Sequence, residues 1–125
     1  IDLQVRMDRP EADAVLSDRN DPLDSTEAVR DRIGRARTMA VERQGCINGE
    51  LRDAIVSTVR ATVTTLGLLR RSSDQLRLSP RVMTRLLKVA RSIADLSGCE
   101  DLEPKHLAEA FELRTLEWGS VSCVH

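Results

Sequence analysis

Apolar residues recur every three or four positions from residue 25 onward, which is the spacing of amphipathic helices. The clearest case is residues 79–97, where Ser79 and Pro80 form a typical helix start and Gly98 a typical end. The apolar stripe of this helix contains Val82, Leu86, Val89, Ile93 and Leu96, and it is widened by Met83, Leu87, Ala90 and Ala94. This segment therefore predicts a long helix with one face in a core.

Three further segments show weaker versions of the same pattern. Residues 25–44 begin with a box-like pair, Asp24 and Glu27, and end at Gly45. This helix is expected to face inward with Val29, Ile33, Ala36 and Ala40, and outward with Arg30, Arg35, Arg37 and Arg43. Thr64 or Thr65 can cap a helix that runs to Leu76. Glu103 and Pro104 begin a last helix, which faces inward with Leu107, Ala110 and Phe111 and ends at about Trp118.

The remaining segments are less regular. Residues 1–9 alternate apolar and polar positions, as a half-buried strand does, and we expect this strand to be a remnant of an upstream sheet. Residues 10–24 are acidic and contain two prolines, so they predict a linker. Residues 50–62 favour a short helix over a strand, and residues 119–125 predict a flexible tail. The pattern as a whole predicts an all-α bundle of four or five helices over residues 25–118.

Composition and charge narrow the range of functions. The formal net charge is −1, and the acidic segments 1–24 and 99–125 flank a basic middle. A protein held to nucleic acid by bulk charge is normally strongly basic. Phe111 and Trp118 are the only aromatic residues, which argues against stacking on bases. The chain shows no secretion signal or membrane span and lacks an initiator Met, so we expect a cytoplasmic fragment of a longer protein with no membrane contact.

No catalytic or metal-binding pattern is visible in the sequence. Cys46, Cys99 and Cys123 are expected to be free thiols, and His106 is expected at the surface. The acidic residue Asp95 and the acids at 100, 101 and 103 are explained by capping and solvation. We therefore expect no metal site.

The basic side of the helix that begins at Ser79 is the remaining candidate site. Arg81, Arg85 and Lys88 follow at steps of four and three, so they project from one side. They could form a solvated surface only. However, a cation in the first turn is unfavourable by about 0.3–1 kcal/mol unless an anion is near. Arg81 is thus the candidate ligand of an oxyanion such as phosphate.

At these residues the chain resembles a known family. The segment LSPRVMTRLLKVARSIADLSG, followed by LEPKHLAEAFELR, is similar to the C-terminal domain of magnesium-chelatase-like AAA+ ATPases of the competence-protein ComM (YifB) type. Upstream, STEAVRDRIGRARTMAVERQ resembles the arginine-rich helix of that family, and Asn48 falls on its expected Asn.

The resemblance implies a helical lid over a nucleotide that an upstream AAA+ core binds. Arg81 would occupy the sensor-2 position and contact the γ-phosphate of ATP, and Arg85 and Lys88 would make lid–core or subunit contacts. ATP and Mg²⁺ would be cofactors of the full-length protein. That protein would form a homo-oligomeric ring linked to DNA processing. The fragment alone would bind neither ATP nor Mg²⁺ and would not be an enzyme. Two alternatives stay open: a DNA-binding helical domain that uses residues 79–97 as its recognition helix, and the lid of a true magnesium chelatase subunit.

Overall fold

The computed structural model describes the backbone of residues 3–16 and 25–122, with side chains as far as Arg114. In these ranges the chain is all-α, as predicted, with four long and two short α-helices. The long ones are α2 (Thr26–Gln44), α4 (Val63–Leu76), α5 (Pro80–Leu96) and α6 (Pro104–Ser122), and the short ones are α1 (Ala12–Leu16) and α3 (Ile55–Thr58). A 3₁₀ turn, Asn48–Glu50, follows α2.

The N-terminal segment differs from its prediction. Residues 3–10 form no strand, because the described part of the chain offers no strand for them to pair with. Instead, Gln4 donates its backbone N–H to the carbonyl of Leu113 at 2.8 Å. The predicted linker contains the short helix α1. Residues 17–24, Asp24 among them, lie outside the described residues, and the division at residue 24 stays a prediction.

Helix α2 ends at the predicted residue but has a different start and a different exposed face. Ser25 is its N-cap, and the Ser25 hydroxyl accepts a hydrogen bond from the Ala28 N–H at 3.1 Å. At the other end Gly45 adopts a φ of 78°, the left-handed conformation that glycine favours. Ala40 is buried, but Val29 and Ile33 are exposed because the N-terminal half of α2 extends past the bundle. The prediction that Val29 and Ile33 face the core is therefore wrong.

The connection between α2 and α4 is mostly irregular. The predicted short helix in residues 50–62 shrinks to the single turn α3. Helix α4 begins at Val63, with Thr62 as its N-cap in place of Thr64 or Thr65. Thr65 is buried instead and donates its hydroxyl to the Leu102 carbonyl at 2.6 Å. A single β-bridge between Ala61 and Leu102 joins this loop to the start of α6.

Helix α5 lies at the centre of the core and packs against α2 and α6, and α4 in turn packs against α6. Its start at Ser79 and Pro80 is as predicted. Leu86, Leu87, Ala90 and Ala94 are buried, whereas Leu96 at its end is exposed. Other helices and loops complete the core with Leu51, Val59, Leu69, Leu102, Leu107 and Ala110.

Helix α6 continues past the predicted end at Trp118 to Ser122, and residues 123–125 lie outside the description. Leu107 and Ala110 are buried on this helix, as expected. Among the described residues, no helix combines the length and apolar character that crossing a bilayer requires.

Candidate functional site

The first turn of α5 places Arg81 at the surface. Ser79 caps the helix, and its hydroxyl accepts a hydrogen bond from the Val82 N–H at 3.3 Å. Pro80 has no N–H, and the Met83 N–H is bonded to the Ser79 carbonyl at 3.0 Å. This capping orients the start of α5 and leaves the Arg81 N–H facing outward from the positive end of the helix dipole.

The Arg81 side chain is exposed. Within the described part of the chain, no hydrogen bond or ion pair of this guanidinium is present, so no carboxylate of the bundle neutralises it. A planar group with five donors thus faces solvent at a helix end that itself favours anions.

Arg85 and Lys88 differ from Arg81 in their surroundings. Both follow it along the same side of α5, and both are half-buried. The Lys88 ammonium lies 3.5 Å from the carbonyl oxygen of Gly49, in the 3₁₀ turn. The three basic groups therefore form a row in which only the first is exposed.

A buried ionic cluster lies at the opposite end of α5, and the sequence analysis did not find it. Arg43 of α2 donates two hydrogen bonds to the Asp95 carboxylate, at 2.8 and 3.0 Å. Arg91 binds the same carboxylate from α5, with its Nη2 2.9 Å from Oδ1. Asn48 donates to Asp95 Oδ2 at 2.8 Å, and its own Oδ1 accepts from Arg43 at 2.9 Å. One carboxylate thus joins α2, the 3₁₀ turn and α5.

Arg91 extends this cluster to the loop before α6. Its side chain is fully buried and donates to the carbonyls of Val59 at 3.0 Å, Glu100 at 2.8 Å and Cys99 at 2.6 Å. Val59 lies after α3, and Cys99 and Glu100 lie in the loop before α6, so the guanidinium supplies hydrogen bonds that a helix or sheet would otherwise provide. We call Arg43, Asn48, Arg91 and Asp95 the Asp95 cluster.

Hydrogen bonds and charges inside the Asp95 cluster determine the protonation state of the Asp95 carboxylate. Burial by itself raises the pKa of Asp95, but hydrogen bonds from Arg43 and Asn48 and the charge of Arg91 outweigh it and hold that pKa below its usual range. Burial lowers the pKa of Arg91, although the Asp95 carboxylate opposes the change. The cluster therefore contains a carboxylate that stays ionised between two guanidinium groups.

Three sequence expectations are wrong here. Asp95 is neither a cap nor a solvated residue, and Arg43 points into the bundle rather than outward. His106 is buried, not on the surface. A signal was available for Arg91 and Asp95, because they are four residues apart and lie between the buried positions of α5. No spacing rule could have linked either of them to Arg43, 52 residues before Asp95.

His106 caps the start of α6 from inside. Its Nδ1 accepts a hydrogen bond from the Glu103 N–H at 3.1 Å, which requires the neutral ring. Its Nε2 is buried without a hydrogen-bond partner among the described residues. Burial lowers the pKa of His106, and the nearby charge of Lys105 lowers it further.

Metal ligands do not cluster in the described part of the chain. No group of three or more His, Cys, Asp or Glu side chains lies there in an arrangement that could hold an ion. Cys46 and Cys99 are half-buried free thiols beside the core, and Cys123 lies outside the described residues.

Comparison with known proteins assigns the chain to a family. The family model described as "Magnesium chelatase, subunit ChlI C-terminal" matches residues 23–114. This range includes α2 to α5, the Asp95 cluster and most of the described part of α6. The chain belongs to this family.

A bacterial relative also supports the assignment. The competence protein ComM of Haemophilus influenzae is 32% identical over 102 residues, which cover 81% of this chain and 20% of that protein. The chain thus spans about a fifth of the length of this curated relative. No solved structure matches the chain. The magnesium chelatase C-terminal family therefore fixes what kind of domain this is, while the activity of a larger protein is a separate question.

Proposed function

We propose that this magnesium chelatase C-terminal domain is the helical lid of a AAA+ ATPase of the ComM type. In this proposal Arg81 is the sensor-2 arginine and contacts the γ-phosphate of ATP bound by an upstream core. The observation that supports it is the exposed Arg81 guanidinium in the first turn of α5, without a partner in the described part of the chain.

Electrostatics favour a phosphate at this place. The guanidinium, the Arg81 N–H and the positive end of the α5 dipole would all act on the same oxygen atoms. Arg81 would donate hydrogen bonds to the γ-phosphate and stabilise the negative charge that develops on it during transfer. Because this bond is lost when the γ-phosphate leaves, the position of the lid would report the state of the nucleotide.

The Asp95 cluster would make the lid respond as one body. It fixes α5 to α2, the 3₁₀ turn and the loop before α6 through buried hydrogen bonds. A functional side chain acts most reliably from a rigid element. A displacement of Arg81 would therefore move the whole bundle rather than one helix.

Other parts of the proposal concern the larger protein. Arg85 and Lys88 would contact the upstream core or a neighbouring subunit, since they continue the row that begins at Arg81. ATP and Mg²⁺ would be bound by the upstream core, and the subunits would assemble into a homo-oligomeric ring that acts in DNA processing. The domain alone would not hydrolyse ATP.

The test is Arg81→Ala in a protein that contains this domain together with its ATPase core. We expect a loss of about tenfold or more in kcat for ATP hydrolysis, because a transition-state contact is removed. Arg81→Lys should recover only part of the rate, since an ammonium lacks the planar fork of donors. The readout is steady-state phosphate release.

Arg71→Ala is the matched control, because Arg71 is an exposed arginine on the neighbouring helix α4. It should leave kcat unchanged. Circular dichroism should show the same helix content in both variants. If Arg81→Ala hydrolyses ATP as fast as Arg71→Ala, the sensor assignment is wrong.

A further inference from the structure

An apolar cleft lies between the middle of α2, the 3₁₀ turn and the end of α5. Its volume is about 230 Å³, and its walls include Ile33, Ala36, Arg37, Ala40, Ile47 and Leu96. For comparison, an engineered apolar cavity of about 150 Å³ binds benzene. The cleft is therefore large enough to accept aliphatic side chains from another segment. We call it the α2–α5 cleft.

Large apolar side chains line this cleft and remain in contact with water. Ile33 and Leu96 are each 42% exposed, and Ile47 is 38% exposed. Val29, one turn before Ile33 on the same side of α2, is 40% exposed. Together they extend the apolar surface along α2, away from the Asp95 cluster, which forms the inner wall. Contiguous exposed apolar surface of this kind marks an interaction site.

The rim of the cleft is basic. Arg37 lines it, and Arg30 lies two turns earlier on the same side of α2. Both side chains are exposed, and neither enters an ion pair within the described residues. An occupant with apolar side chains and nearby carboxylates would match this surface in both respects.

The same chain contains a segment with that chemistry. Helix α1 exposes Val15 and Leu16, at 66% and 82%. Glu11 and Asp13 precede them, and both carboxylates are exposed and without an ion pair in the described part of the chain. Helix α1 is thus apolar at its end and acidic at its beginning.

We propose that α1 of one copy docks in the α2–α5 cleft of a second copy. Val15 and Leu16 fill the cleft beside Ile33 and Leu96, while Glu11 and Asp13 face Arg30 and Arg37. Docking between copies leaves each chain in the conformation described here, with α1 exposed and the cleft open. Docking of α1 in its own cleft, in contrast, requires a rearrangement.

Such a contact is head-to-tail, because it joins two different surfaces, α1 of one copy and the cleft of the next. Head-to-tail contacts produce rings when the rotation between copies closes. The inference thus deepens the ring assembly proposed above and rests on it, but it involves no residue of the Arg81 site. A five-residue helix buries less than the roughly 800 Å² per partner of a stable interface, so the contact is weak and self-association of the chain should need high concentrations.

Sedimentation velocity of the 125-residue chain over a range of concentrations tests the contact. The wild-type chain should show a mass that rises with concentration. Ile33→Glu, the cleft variant, and Leu16→Asp, the segment variant, should each weaken association by about tenfold or more, since each buries a carboxylate in an apolar contact. Val63→Asp is the matched control, because Val63 is equally apolar and 88% exposed on α4, and it should associate like wild type.

Mixing the two variants separates this interface from any other. The cleft variant still offers an intact α1 and the segment variant an intact cleft, so an equimolar mixture should form one-to-one dimers that grow no further. A wild-type chain that stays monomeric, or a mixture that does not pair, overturns the proposal. Should Ile33→Glu fail to fold by circular dichroism, Arg37→Glu at the rim replaces it and should weaken association in the same way.

Two other results are also decisive. If a short DNA duplex binds the chain, loses binding in Arg37→Glu and no self-association occurs, the basic rim serves DNA and the proposal is wrong. If the ATPase protein loses activity on Arg81→Ala while the variant mixture does not pair, the sensor proposal stands and the docking proposal fails. The two proposals are therefore judged by separate measurements.

Discussion

At the scale of single residues, Asp95 is the acidic centre of the Asp95 cluster. Its carboxylate is almost inaccessible to water and receives hydrogen bonds from three different side chains. Two guanidinium groups share one carboxylate, so removing that carboxylate leaves two largely buried cations without a counter-charge. The free energy of unfolding should be far more sensitive to Asp95 than to any surface acid.

Asp95→Asn tests this dependence. The variant should lose about 3–5 kcal/mol of unfolding free energy, because a buried ion pair is broken from one side. Asp101→Asn is the control, since Asp101 pairs with Arg60 at the exposed surface and should cost about 0–1 kcal/mol. Urea unfolding followed by circular dichroism measures both. Similar losses in the two variants would contradict the structural role of the cluster.

His106 predicts a pH dependence of stability. Its pKa is lowered in the folded state, so the unfolded chain binds more protons as the pH falls. The contribution of neutral His106 to the free energy of unfolding is complete above about pH 6.5, the pKa of histidine in the unfolded chain. This contribution is lost as the pH falls through that value toward the lower pKa of His106 in the folded chain. The melting temperature should therefore be higher at pH 7.5 than at pH 5.5.

His106→Gln should reduce this difference between the two pH values, because the group that titrates is gone. A Gln oxygen can still accept the Glu103 N–H, which keeps the cap. His125 is present in both proteins and contributes equally to each. A wild-type chain that melts at the same temperature at both pH values would show that His106 is not the titrating group described here.

At the scale of elements, α2 behaves as two different halves. Its C-terminal half packs on α5 through Ala40 and the Arg43 bonds, whereas its N-terminal half extends past the bundle. Helical spacing is the same in both halves, which is why the sequence pattern assigned Val29 and Ile33 to the core. The pattern defines an apolar side but not the length of the partner that covers it.

Replacement by alanine should change the stability of the domain in opposite directions at Gly34, inside α2, and at Gly45, the C-cap of α2. Gly45→Ala should destabilise by about 1–2 kcal/mol, because φ is 78° and a Cβ is strained there. Gly34→Ala should stabilise by up to about 1 kcal/mol, since Gly34 is in the helix interior and a Cβ would meet no atom within 4 Å. Thermal unfolding of the two variants measures the difference. A loss of stability in Gly34→Ala would mean that this position requires glycine.

At the scale of the whole molecule, the lid proposal assigns only one residue of this domain, Arg81, to contact with the nucleotide. The sequence has no Gly-rich phosphate loop, and we expect the other phosphate ligands from the upstream core. Isothermal titration of the 125-residue chain with MgATP should therefore give no saturable heat. Micromolar binding would contradict the lid proposal, because a lid should need its core to hold ATP. A protein that includes the core is the positive control.

Local chemistry determined the helices and the candidate site. Ser79, Pro80 and the apolar stripe after them act within one or two turns, so their consequence could be predicted from the sequence. The exposed position of Arg81 follows from the same helical spacing, because residue 81 falls outside the apolar stripe that begins at Val82. The all-α class follows from the helical spacing of the apolar residues from residue 25 onward.

Only the tertiary structure determined which charges are buried. Arg91, Asp95 and His106 are polar residue types that are usually exposed, and they are buried because segments distant along the chain cover them. The α2–α5 cleft arises for the same reason, since Ile33, Ile47 and Leu96 belong to three different segments. Hydrogen bonds within a helix depend on neighbours along the chain, whereas the burial of a charge depends on what the fold places against it.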